Sequence, residues 1–220
     1  MKNGKSSGSK QTKLTIILKN KYYLNMKNWD LLCHTVINTL KENLAPFLTY
    51  HDWKHTEHVI RMSEYIARKE NTSENDILLI KTAALFHDAG FINTISDGHE
   101  EESIRLAQEK LPHFDYTTAE IDIIAGMIRA TSIPQRPNTK LECIIADADL
   151  EYLGTDSFER IGNNLFRELK HFNPNLDTIQ WNEIQIKFLQ SHSYHTRYCM
   201  EHRAPIKEKN IEKLIQQQNN

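Results

Sequence analysis

The sequence predicts an all-α fold, a single-domain helical bundle, on three observations. Glycine and proline are scarce, 7 and 6 in 220 residues, so little interrupts helices. Apolar residues recur at spacings of three and four, and no stretch alternates as a half-buried strand does. The run Ile77 to Phe86 is apolar nearly all round, as a helix at the centre of a core must be. The length suits one sizeable core.

In chain order, residues 1–25 are expected to be a flexible N-terminal tail. Lys2 to Lys13 is rich in Ser, Gly and Lys, and Leu14 to Leu24 carries apolar residues without a period. The domain is read as 26–216. Met26 is either its natural start or the end of an ordinary flexible tail. Trp29, Leu32, Cys33, Val36, Ile37 and Leu40 then lie on one helical face. After Pro46, a second stripe runs through His55, Val59, Met62 and Ile66, with Arg61, Glu64 and Arg68 away from it. Ser73 or Asn75 is the expected N-cap of the apolar helix that ends at His87-Asp88-Ala89-Gly90, where Gly90 suits a helix C-terminus. Further helices are expected over His99 to Leu111, Thr118 to Ala130, Leu141 to Leu153, Phe158 to Phe172, Leu176 to His192 and Lys207 to Gln216.

Composition excludes several functions. With 27 basic and 29 acidic residues the net charge is −2, which offers no electrostatic footprint for duplex nucleic acid. No apolar run reaches the roughly 18–20 residues of a membrane span. Cys33, Cys143 and Cys199 are odd in number and form no CxxC, so neither a disulfide framework nor a thiolate zinc site is expected, and a cytoplasmic location is the default.

Three short stretches carry chemistry. Asp88 closes an apolar helix, where a carboxylate is costly to bury unless it is paired or coordinated. The adjacent His87 makes a divalent metal the economical explanation, although an isolated His-Asp is usually only a helix end. In Tyr50-His51-Asp52-Trp53-Lys54-His55, His55 shares the stripe of core residues, and a buried His needs a partner. The bland reading is a core His bonded to a carbonyl, which fits His58 better. In Ala146-Asp147-Ala148-Asp149-Leu150, Asp149 lies on the stripe with Leu141, Ile145 and Leu153, whereas Asp147 stands about 200° around the axis. The His-rich tract Ser191 to Arg197 reads first as a polar helix end and only second as a metal or substrate site.

Taken in order, His55, His87-Asp88 and Asp149 resemble the HD-domain metal-dependent phosphohydrolases. The resemblance is strong from Trp29 to Leu153 and looser in the C-terminal helices. It implies a helical bundle of the HD type in which these four side chains hold one divalent ion, Mn, Mg, Fe, Co or Ni. It also implies a small phosphorylated substrate, a nucleotide or cyclic nucleotide among the candidates, attacked by metal-activated water. Asp88 is then both ligand and catalytic group. The stretch from Tyr50 to His55 is similar to that of cyclic-nucleotide phosphodiesterases, which makes His51 the candidate proton donor to the leaving oxygen. Lys54, His99, Arg129 and Asp147 are expected to contact substrate or to support the ligands from outside, with Arg160 a further basic candidate. Relatives with two ions use two more histidines. His99 stands where the first falls, but Thr131 stands where the second would, so one ion is expected. The competing readings are a di-iron oxygenase of the same fold and a non-catalytic metal- or ligand-binding regulatory module.

Overall fold

The computed structural model describes residues 29–95 and 98–218. Among them there are ten α-helices and no strand. They are α1 (29–43), α2 (Trp53–Lys69), α3 (Glu74–Phe86), α4 (His99–Lys110), α5 (Thr118–Arg129), α6 (Lys140–Asp149), α7 (Phe158–Phe172), α8 (Thr178–Ser191), α9 (Arg197–His202) and α10 (Ala204–Gln218). The expected tail and the question of Met26 fall outside the described residues. No described helix is long and apolar enough to cross a membrane.

Local chemistry sets most helix starts. Asp52 caps α2 by accepting from the Lys54 and His55 backbone N–H groups, both at 2.9 Å. Ser73 caps α3. Thr117 with Glu120, Thr139 with Glu142 and Asp177 with Gln180 form reciprocal capping boxes on α5, α6 and α8. These caps satisfy donors that the first helical turn leaves open.

The apolar helix α3 is the hub, as its lack of a polar face requires. It packs on α2, α5 and α6, and Ile80, Leu85 and Phe86 are buried in the main core. A second core gathers Tyr50, Leu150, Leu153, Phe158, Leu189 and Leu214, where α10 packs on α8. The chemistry lies where these two cores meet.

Two boundaries differ from the sequence reading. Helix α6 ends at Asp149, and the expected continuation to Leu153 is a 3-10 turn over Glu151–Gly154. The tighter turn lets Leu150 and Leu153 both enter the second core. Gly90 lies inside a 3-10 turn, Ala89–Ile92, and does not cap α3. Its need for glycine is close approach, because a Cβ there would stand 2.0 Å from the His99 carbonyl oxygen. Ser103 locks the junction, accepting from the Gly90 N–H and donating to the His87 carbonyl, both at 2.8 Å.

Candidate metal centre and cavity

Each ligand candidate is delivered by a helix end. His55 lies in the first turn of α2, His87-Asp88 follows the last turn of α3, and Asp149 is the last residue of α6. Helix packing around α3 brings these three ends together. The His55 Nε2 is 3.1 Å from Asp149 Oδ1 and 3.5 Å from Asp88 Oδ2. The His87 Nε2 is 3.1 Å from Asp88 Oδ2, 3.5 Å from Asp149 Oδ1 and 3.3 Å from the His55 Nε2. Among the described residues, His55, His87 and Asp149 form a set whose ligand atoms all lie within 4.8 Å of one another.

This donor set fits a divalent cation. The His87 Nδ1–H donates to the Ala84 carbonyl at 2.8 Å, which fixes the tautomer and leaves Nε2 as a lone pair aimed inward. Asp88 Oδ2 is buried and has no hydrogen-bond partner. Leaving a buried carboxylate oxygen unpaired costs on the order of a few kcal/mol unless a cation meets it. Burial opposes ionisation of Asp149, but the neighbouring His55 and His87 rings outweigh it and draw its carboxyl down to about 2. Two imidazole nitrogens and two carboxylates therefore crowd one point, and donors sharing a six-coordinate ion stand about 3 Å apart.

His51 lies beside this cluster, half-buried. Its Nδ1–H donates to Glu168 Oε1 at 2.5 Å, and the other Glu168 oxygen accepts from the Tyr50 and His51 backbone N–H groups at 2.9 and 3.1 Å. Burial lowers the imidazole pKa, but the bond to Glu168 and the fields of Asp88 and Asp149 outweigh it, and the net shift is upward. Glu168 itself is held below its usual value by His51, against burial. Sequence reasoning missed Glu168. The available signal was an acid beside Leu165 and Leu169 on the apolar stripe of α7. Phe91 was missed as well. Its ring stacks on His99, centroids 4.0 Å apart, and lies 4.6 Å from His51.

The cluster opens into a cavity of about 280 Å³, lined at one end by His51, Asp88, His99 and Asp149. His99 Nε2 is 3.6 Å from Asp88 Oδ1, so this candidate lies at the site. Thr131 lines the same cavity, with its hydroxyl donated to the Ile128 carbonyl at 2.8 Å.

Three candidates stand away from the cavity lining, and Asp147 is one of them. It is buried and accepts from the His195 and Thr196 N–H groups, at 2.9 and 2.7 Å, and from the Thr196 hydroxyl at 2.6 Å. Its place across the helix from Asp149 makes it a clamp on the segment leading into α9. Lys54 does not line the cavity. Being one residue from inward-facing His55 turns it about 100° outward, and its ammonium lies over Trp53, 5.5 Å from the centroid. Arg129 is exposed and paired with Glu101 at 2.6 Å, also off the cavity. Arg160 lines a different groove, described below. In the His-rich tract, His192 is buried, and burial together with nearby Lys207 pushes its pKa down to about 4. Neither it nor His195 joins the centre.

Residues 52–151 match the HD domain family model. Bacillus subtilis YpgQ, solved in complex with ADP, superposes with a TM-score of 0.59 at 22% identity, covering 88% of this chain and 96% of that one. A predicted HD superfamily hydrolase from an uncultured Thermotogales bacterium superposes with a TM-score of 0.50 at 19% identity, covering 71% of this chain and 88% of that one. At these identities the likeness concerns the fold. No curated protein sequence matches this chain.

Proposed function

From the HD domain that residues 52–151 form, we propose that the chain is a metal-dependent hydrolase and that its substrates are phosphate esters. The observation that carries the reading is the buried, unpartnered Asp88 Oδ2 facing the two imidazole nitrogens and the Asp149 carboxylate. His55, His87, Asp88 and Asp149 would hold one divalent ion. Such an ion, when bound, polarises a phosphoryl oxygen and lowers the pKa of a water molecule. The phosphate class is supported by the family resemblance and by the ADP complex of YpgQ, whose fold is similar.

The chain's own groups supply the rest of the chemistry. The Ala84 carbonyl keeps the His87 proton on Nδ1, so the ligand nitrogen stays bare. Glu168 occupies the Nδ1–H of His51, so the proton this ring offers a leaving oxygen sits on Nε2. The bond to Glu168 favours the protonated ring. The walls of the cavity limit water around the reacting group. The test is to strip the protein with chelator, reload it with Mn²⁺ and measure phosphate release from a panel of mono- and diesters. Activity that requires the reloaded metal is expected. Folded, metal-loaded protein that releases phosphate from none of them contradicts the reading.

A further inference from the structure

The cavity has two ends of opposite chemistry. Beyond the ligand end, its walls come from α7 and α8 and present Phe158, Leu165, Leu169, Trp181, Ile184 and Phe188. Among the described residues that line it there is no Lys or Arg. Its ionisable groups are the imidazoles of His51 and His99, the carboxylates of Asp88, Asp149 and Glu100, and the phenols of Tyr50 and Tyr152. The cations of this region are gathered elsewhere. Lys41, Lys54, Arg61, Arg160 and Arg167 line a separate groove of about 730 Å³. Tyr50 and Tyr152 line both spaces, and His55 lines the groove.

We propose that the substrate of this site carries a compact apolar body, an alkyl or aryl group, on a single phosphoryl group. The inference rests on the phosphohydrolase reading and narrows it. A divalent ion among two carboxylates matches one phosphoryl group. Each further phosphate directed into this cavity would enter a space with no fixed cation and with Glu100 on its wall, where it would lose hydration without a partner. Ribose hydroxyls would face the same walls, which offer few polar groups beyond Gln185, and the Thr131 hydroxyl is already donated to a carbonyl. An apolar body instead displaces water from leucine and aromatic surface, which is favourable in proportion to the area covered. The volume lies at the small end of ligand pockets, which limits the body to a modest size.

The experiment is calorimetric titration of the full, Mn²⁺-loaded chain with straight-chain alkylphosphonates from methyl to hexyl, and in parallel with the matching alcohols. Phosphonates are not hydrolysed, so the readout is affinity alone. Affinity is expected to rise about threefold per methylene until the cavity is filled. Ile184 is 44% exposed, so Ile184→Asn should fold. That variant should lose several-fold of the hexyl gain and leave the methyl compound within about twofold of wild type. Affinity that is flat with chain length in both series overturns the proposal. Alcohols that climb with chain length while no phosphonate binds would keep the apolar body and remove the phosphate reading, so the two failures are distinguishable. Phosphonates that climb in wild type and in Ile184→Asn by the same factor would overturn the assignment of the body to the α7–α8 wall.

Discussion

The two ends of the cavity come from different stretches of chain. The ligand end is drawn from residues 51–149 and consists of histidine and carboxylate at helix ends packed around α3. The far end is drawn largely from α7 and α8 and is apolar. The first arrangement leaves its donors little freedom, since they are fixed by a cap, a carbonyl or a packed turn. The second only has to be the right shape and free of charge, so many sequences would serve. Chemistry and selectivity are thus separable in this molecule, and substitutions at the two ends should fail differently.

The largest effect is expected at the ligand end. His87→Ala removes a buried nitrogen whose tautomer is fixed by Ala84, and should bring both metal content and phosphate release to background. Elemental analysis and a phosphate assay on the same sample check it. Next comes the joint between the two ends, Glu168 on α7. Glu168→Gln should retain the metal but lower kcat by about 10–100-fold, the usual cost of losing a carboxylate that orients a histidine. It should also move the pH profile. In the proposed role His51 acts protonated, so activity should fall as pH rises through its pKa. Glu168 raises that pKa, so the alkaline limb should shift to lower pH in the variant. An unmoved limb would show that His51 is not the proton donor.

Asp147→Ala tests the clamp. Three donors from residues 195 and 196 lose their acceptor in a buried setting, which should lower stability by about 3 kcal/mol as read from denaturant unfolding. Activity per folded molecule should change little. Unchanged stability with a collapsed kcat would return Asp147 to the metal site. The smallest effect is expected for Arg129→Ala. Its exposed pair with Glu101 is worth at most about 1 kcal/mol, and kcat/KM should stay within about twofold.

What the sequence made legible follows the same division. Helix α3 and the stripes of α2 and α5 were readable because period encodes them locally, whereas the order His55, His87-Asp88, Asp149 was legible through its resemblance to the HD family. Helix α9 was not read, because its six residues are too few to display a period. The end of α6 was misplaced because Leu150 and Leu153 continue the apolar pattern while the backbone tightens. Gly90 was read as a cap because its close neighbour, the His99 carbonyl, is a tertiary contact. The bond between Glu168 and His51 joins residues 117 apart, and nothing in either local stretch announces it. Helix geometry sets Asp147 and Asp149 on different faces, but the partners of Asp147 come from a loop about 48 residues on, a distance local patterns do not bridge.

The most direct test of the central claim is metal content. Wild type, Asp88→Ala, Asp149→Ala and Asp147→Ala are stripped with chelator, reloaded with Mn²⁺, freed of excess and measured by elemental analysis, with folding checked by circular dichroism. The account predicts about one ion per chain in wild type and in Asp147→Ala, and none in Asp88→Ala or Asp149→Ala. A folded wild type that takes up no ion, or an Asp147→Ala that is empty beside an Asp149→Ala that is filled, would contradict it.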